Sequence, residues 1–206
     1  FILFVSTEAV GNKGYMNWAQ IKEVESESFA YIGNHSHSHD YLTKFDFGKF
    51  VKDIDESIKI FNDKLGYNPS FFSYPFGEYN LEQKNYISNN FDFAFGQHSG
   101  VIDLNKDKYE LPRFPINEKY GELRRFKEMI TYLPLQYKNI KPENKFMNVN
   151  ENPPKMTIEF FKDQKNLNNI NCFSNEGSKW RKTNIVIDDN ILKVNFVEKF
   201  VERRGR

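Results

Sequence analysis

Apolar and polar positions along this chain change period several times, and each change predicts a change of element. Phe1-Ile2-Leu3-Phe4-Val5 is an uninterrupted apolar run, which predicts a fully buried strand. Asn17-Trp18-Ala19-Gln20 has the spacing of a capping box, with Asn17 as N-cap and Gln20 at the third helical position, and predicts a short helix through Val24. Phe29-Ala30-Tyr31-Ile32 predicts the next strand. From Phe47 the residues Phe50, Val51, Ile54, Ile58, Phe61 and Leu65 recur at helical spacing, and Gly66 follows as terminator. The aromatic stripe of that helix reads as core packing.

Ser70-Phe71-Phe72-Ser73-Tyr74 predicts a strand that Pro75 ends, with Phe76-Gly77 as the turn. Asn80 and Gln83 repeat the capping-box spacing, and Asp92-Phe93-Ala94-Phe95 predicts a further strand. Strands alternating with helices imply a parallel sheet with crossover helices, where functional residues gather at the C-terminal ends of the strands. From about Lys141 the texture changes. Residues 141–154 read as linker, and Met156-Thr157-Ile158-Glu159-Phe160, Ile170-Asn171-Cys172-Phe173, Asn184-Ile185-Val186-Ile187 and Leu192-Lys193-Val194-Asn195-Phe196 are short runs between turn-like clusters, predicting antiparallel β structure. The expected division is therefore residues 1–140, a linker over 141–154, and a small β-rich domain over 155–206.

Composition narrows the class. The hydrophobic share of 39% and aromatic share of 17%, with 21 Phe and 11 Tyr, belong to a folded chain, and the net charge of +1 argues against nucleic acid as a partner. Charge is uneven: residues 1–134 hold 15 Lys and Arg against 19 Asp and Glu, and the remainder 14 against 9, which suggests two units with a basic face on the second. Cys172 has no partner for an internal disulfide and reads as a core thiol. No run approaches the ~20 apolar residues of a membrane span, so no transmembrane segment is expected. The buried-strand pattern at Phe1 has no leader before it, which suggests a trimmed chain and leaves the compartment open.

Three of the four histidines fall in Gly33-Asn34-His35-Ser36-His37-Ser38-His39-Asp40, and imidazole is the commonest ligand for transition metals. Residues two apart share a face of a strand, and residues four apart share a face of a helix. Either all three imidazoles point together from a strand, or His35 and His39 pair from a helical turn while His37 points away. A solvated polar loop is the alternative without a metal.

The run Gly33 to His39, after a strand and a short helix that begins with Trp, resembles the His-Ser/Thr-x-x-His metal motif of polysaccharide deacetylases with the NodB-homology domain. Ser73-Tyr74-Pro75-Phe76-Gly77-Glu78-Tyr79-Asn80 is similar to the motif that walls that family's active-site groove, and Gly96-Gln97-His98-Ser99-Gly100 followed by Leu111-Pro112-Arg113-Phe114-Pro115 resembles a subgroup acting on extracellular or envelope polysaccharide. The resemblance covers about residues 1–135. It implies an α/β fold, a deformed (β/α) barrel followed by a small antiparallel β domain, and a secreted, periplasmic or envelope location.

It also implies a zinc-dependent hydrolase removing N-acetyl groups from a polysaccharide containing N-acetylhexosamine, with Zn2+ or another divalent ion held by His35 and His39. Catalytic zinc takes three protein ligands, and the resemblance places the third, with the general base, in an acidic pair upstream of Phe1. The backbone N–H of Phe76 is the expected oxyanion donor. Tyr74 and Tyr79 are expected to meet substrate, although all three aromatic residues also read as packing at a strand end. Ser73 departs from the Arg common at that point, and Arg113 is the candidate to orient the acidic pair in its place. His98 is the candidate general acid, against a solvated loop histidine. Ser36 is expected to brace the metal site or to cap a backbone amide, and His37 to lie behind the ligands or in solvent. The second reading is an inactive glycan-binding or structural envelope protein that keeps the fold. A His-rich β-type metal protein does not accommodate the helix over 47–65.

Overall fold

The computed structural model describes residues 1–203 and 205. It divides into two compact units, residues 1–134 and a second from Leu135 onward. In the first, β1 (Ile2–Val5), β2 (Tyr31–Asn34), β3 (Phe71–Ser73) and β4 (Phe93–Phe95) form one parallel sheet in sequence order. The crossovers carry α1 (Trp18–Glu25), α2 (Phe47–Leu65) and α3 (Leu81–Ser88). After β4, Phe95 makes an isolated parallel bridge to Leu111, and α4 (Leu123–Met129) follows. The described strands form an open sheet of the expected α/β class.

Local sequence explains the helices. Asn17 and Gln20 form a reciprocal capping box on α1, and Asn80 and Gln83 form another on α3, each satisfying two amides that a helix start leaves without partners. Asp46 accepts from the Lys49 amide at the start of α2, and Gly66 ends that helix at φ 87°, a left-handed conformation that favours glycine.

α2 buries Phe50, Ile54, Ser57 and Phe61 along one stripe. Its first half packs with Leu42, Phe72, Ile87 and Ala94, and Phe61 packs with Val5, Ile21 and Ile32. Full burial of a Phe side chain contributes about 1.5–3 kcal/mol, so this stripe fixes α2 firmly on the outer face of the sheet. The other face carries Phe4, Phe71, Phe93 and Phe95, whose rings meet at 5.5–6.2 Å.

The second unit is antiparallel, as expected. β5 (Asn139–Lys141), β6 (Met156–Glu159), β7 (Cys172–Ser174), β8 (Arg181–Asp188) and β9 (Ile191–Asn195) pair in the order β5-β6-β9-β8-β7. Alternation along β9 buries Leu192 and Val194, which pack with Phe160, Ile158, Ile185 and Ile187; Cys172 lies against the same core. Residues 141–154, expected as a linker between domains, run instead from β5 to β6 inside this unit, because Asn139–Lys141 pairs with β6 in register Ile140 to Ile158.

Candidate active site

The histidine run begins where β2 stops. His35 still donates its amide to Val5 O at 3.0 Å, and beyond it the backbone adopts neither strand nor helical-turn geometry, since Ser36 and His39 have φ of 67° and 56°. This corrects both expected geometries while keeping one of their outcomes. The His35 and His39 rings meet edge to face with centroids 4.7 Å apart, and His37 turns away to bond Thr7 Oγ1 through Nδ1 at 2.9 Å.

His35 Nδ1 lies 2.6 Å from the backbone carbonyl of Ser73. A carbonyl only accepts, so Nδ1 carries the proton and the lone pair of the neutral ring sits on Nε2. Burial, opposed by that hydrogen bond and aided by the nearby His39 and Arg113, lowers the His35 pKa from 6.5 to about 4. A ligand must be neutral to donate, and this imidazole is held neutral across the physiological range.

β3 and the turn after it supply the opposite wall. Phe76 lies edge-on to His39 at 4.9 Å and close to Tyr41 at 4.3 Å, with its backbone at φ 58°. Ser36, His39 and Phe76 are three of the six described non-glycine residues with positive φ, so unfavourable backbone conformation is concentrated at one place. Ser73 is fully buried, and its Oγ has no hydrogen-bond partner among the described residues.

Arg113 reaches this site. Its Nε donates to Gly96 O at 3.0 Å, and its guanidinium carbon lies 5.5 Å from the Phe4 ring, whose centroid is 6.1 Å from that of His35. The backbone of residues 111–113 is aligned beside β4 by bonds from Gly96 N to Leu111 O and from Arg113 N to His98 O. His98 itself is exposed, with its ring folded back over Gly96.

Tyr74, expected to meet substrate, is buried in the core instead. It is 1% exposed, packs with Phe72 and Tyr79, and donates its hydroxyl to Tyr109 O at 3.1 Å. Burial, with Asp107, Glu110 and Tyr109 nearby, raises its pKa. Tyr79 stacks on Tyr74 at 4.4 Å and donates to Glu110 at 2.9 Å, in a group that Lys84 completes through Asp107 at 2.7 Å. Tyr74 thus serves the core beneath the wall, whereas Tyr79 is half-buried, with its ring against Tyr74.

Sequence reasoning missed the residues that hold the histidine loop. Ser6 Oγ donates to His35 O at 2.9 Å, and the amides of Thr7 and Glu8 donate to the carbonyls of Ser36 and His37. From the other side Asn34, Asp53 and Ser57 contribute, while Ser36 Oγ accepts from the His39 amide, the capping role expected of it. One signal was available: Ser57 is a hydroxyl in the apolar stripe of a helix, a position that calls for a polar partner.

Two imidazoles at contact distance, His35 held neutral by burial and oriented by a carbonyl, suit a zinc-type ion in donor chemistry. Among the described residues no group of three or more His, Cys, Asp or Glu side chains is placed to hold a metal ion.

Residues 1–93 match the profile of the polysaccharide deacetylase family. No curated protein matches the sequence. Among solved structures, the Streptococcus pyogenes deacetylase PplD in complex with acetate is similar over 62% of this chain and 57% of its own, at 17% identity and a TM-score of 0.56. BC0361, a polysaccharide deacetylase from Bacillus cereus, is similar over 63% of this chain and 41% of its own, at 17% identity and a TM-score of 0.54. The chain thus spans between two fifths and three fifths of the length of these proteins, and at this identity the likeness concerns the fold.

Proposed function

We propose, because residues 1–93 match the polysaccharide deacetylase family, that this chain is part of a metal-dependent enzyme that removes N-acetyl groups from a polysaccharide containing N-acetylhexosamine. The observation that carries the reading is the His35–His39 pair at the C-terminal end of β2, with the tautomer of His35 set by Ser73 O. A polymeric substrate of this kind goes with a secreted or envelope location.

His35 and His39 would hold the ion, zinc before other divalent metals, and when bound it would polarise the acyl oxygen and lower the pKa of a water to about 7. Burial keeps His35 unprotonated for that task. Phe76 sets the wall beside His39, and its backbone N–H is assigned to the acyl oxygen as that atom becomes negative. Arg113, anchored on Gly96 O, would orient the carboxylate base through its planar fork of donors. His98 is the candidate to protonate the leaving amine. The third ligand and the base are assigned to the acidic pair that the family likeness implies.

Zinc titration and acetate release from N-acetylglucosamine oligomers, measured on a chain that also carries the upstream acidic pair, test this together. His35→Ala and His39→Ala should each abolish zinc uptake and acetate release. Zinc uptake without release from any N-acetylated polymer would favour the inactive glycan-binding alternative, and absence of zinc uptake by the unmodified protein would refute the metal site.

A further inference from the structure

Four consecutive backbone amides in the histidine loop are each bonded to a side-chain oxygen. The Ser36 amide donates to Asn34 Oδ1 at 2.9 Å, His37 to Asp53 Oδ1 at 3.0 Å, Ser38 to Asp53 Oδ2 at 3.1 Å, and His39 to Ser36 Oγ at 3.1 Å. Secondary structure contributes none of these bonds. The loop passes through two left-handed residues, Ser36 and His39, whose cost must be offset by what surrounds them.

Two of the anchors come from one face of α2. Asp53 and Ser57 are four residues apart, so they lie one above the other on the helix. Ser57 Oγ accepts from Asn34 Nδ2 at 2.8 Å and donates to Ile54 O at 2.7 Å, which fixes the amide of Asn34 so that its Oδ1 faces Ser36. Asn34, Ser36 and Ser57 are all fully buried, so these groups have no water to fall back on. Asp53 is half-buried and contributes the only carboxylate, with one oxygen for each of two successive amides. Charge-assisted hydrogen bonds of this type are roughly twice as strong as neutral ones.

From these contacts we infer that Asp53 is the positioning residue of the site: its carboxylate clamps the amides of His37 and Ser38 and thereby sets how His35 and His39 face each other. It touches neither imidazole of the pair and acts through the backbone between them. The inference rests on the metal reading above only for its consequence, since the clamp itself is a property of the loop. α2 is held on the sheet by Phe50, Ile54 and Phe61, so its packing gives Asp53 a fixed base from which to hold the loop.

Asp53→Asn tests it with little change of shape, because the amide keeps one acceptor oxygen and turns an NH2 toward the other N–H. Hydrogen exchange at the His37 and Ser38 amides should quicken at least about tenfold, while amides in the Phe50–Phe61 part of α2 keep their protection. Zinc affinity, titrated with ZnCl2 alone, should fall about 10- to 100-fold, the range seen when a partner behind a metal ligand is lost. Asp63→Ala, an exposed site on the same helix, should change neither quantity. Asp53→Ala should exceed Asp53→Asn in both. Should Asp53→Ala fail to fold, Asp53→Asn alone decides. Unchanged exchange at His37 and Ser38, or quickened exchange with unchanged zinc affinity, would overturn the inference. If the unmodified protein takes up no zinc, the functional proposal fails separately, and the inference is then decided by exchange together with the His35 and His39 ring-proton shifts, which must move in Asp53→Asn for it to stand.

Discussion

The ring of Phe4 lies directly against Gly33: a methyl group at Gly33 would stand 2.5 Å from Phe4 Cδ1 and 2.6 Å from Cε1. The two residues are register partners on β1 and β2, and Phe4 spans the space between Gly33, His35 and Phe95. Gly33→Ala therefore forces Phe4 to shift within the space it shares with the His35 and Phe95 rings. Overpacking of this kind costs about 1–3 kcal/mol, so thermal unfolding should shift down and zinc affinity should weaken with it. An unchanged melting temperature would show that Phe4 yields without cost.

The three clustered histidines should separate by function. His35→Ala and His39→Ala remove members of the ring pair and should abolish zinc uptake with folding retained, as judged by circular dichroism. His37→Ala loses a single bond to Thr7 Oγ1 and should change stability by about 0.5–1.5 kcal/mol, with zinc affinity close to that of the unmodified protein. Equal loss of zinc in all three variants would contradict the geometry of the loop.

Tyr74→Phe distinguishes a core residue from a substrate contact. It removes the donor to Tyr109 O and leaves that carbonyl short of a partner, at a cost of about 1–3 kcal/mol in urea unfolding. KM for an N-acetylated oligomer should stay within about twofold, because a side chain 1% exposed offers the polymer no surface.

In the second unit, Glu176 is fully buried, yet its pKa lies below that of an ordinary glutamate. Burial alone would raise its pKa; hydrogen bonds from Ser174 Oγ at 2.5 Å and from the amides of Glu198, at 2.7 Å, and Val197, with attraction from Arg181, outweigh burial and lower it. A carboxylate with a depressed folded pKa binds fewer protons folded than unfolded, so its contribution is present above the unfolded value and lost as pH falls through the folded one. The methyl resonances of Leu192 and Val194 should therefore report acid unfolding of this unit below about pH 4.3. Glu176→Gln should destabilise it by on the order of 1–3 kcal/mol at pH 7 and flatten that acid dependence. A variant with the same acid slope would assign the dependence to other carboxylates.

Much of this protein was legible in its sequence wherever the governing interactions are short-ranged. Both capping boxes, the limits of α2 from Phe47 to Gly66, the alternation of strands and helices in the first unit and the antiparallel character of the second follow from i to i+3 bonds, helical or alternating spacing, and one glycine free to take positive φ. The chemistry of the His35–His39 pair was visible as residue type and separation. β5 was not visible, because Asn139-Ile140-Lys141 has a single apolar residue between two polar ones and is defined by its partner β6 rather than by its own pattern. The loop after Asn34 escaped both periodic readings for the same reason: its amides bond to side chains up to 16 residues away and its carbonyls to residues about 30 away, so no local rule sets its torsions. Tertiary structure alone placed Asp53 under His37 and Ser38, turned His37 toward Thr7, brought Arg113 to Phe4 and buried Tyr74. The amino-acid sequence supplied the donors and acceptors, and the packing of α2 and β1 against β2 decided which of them meet.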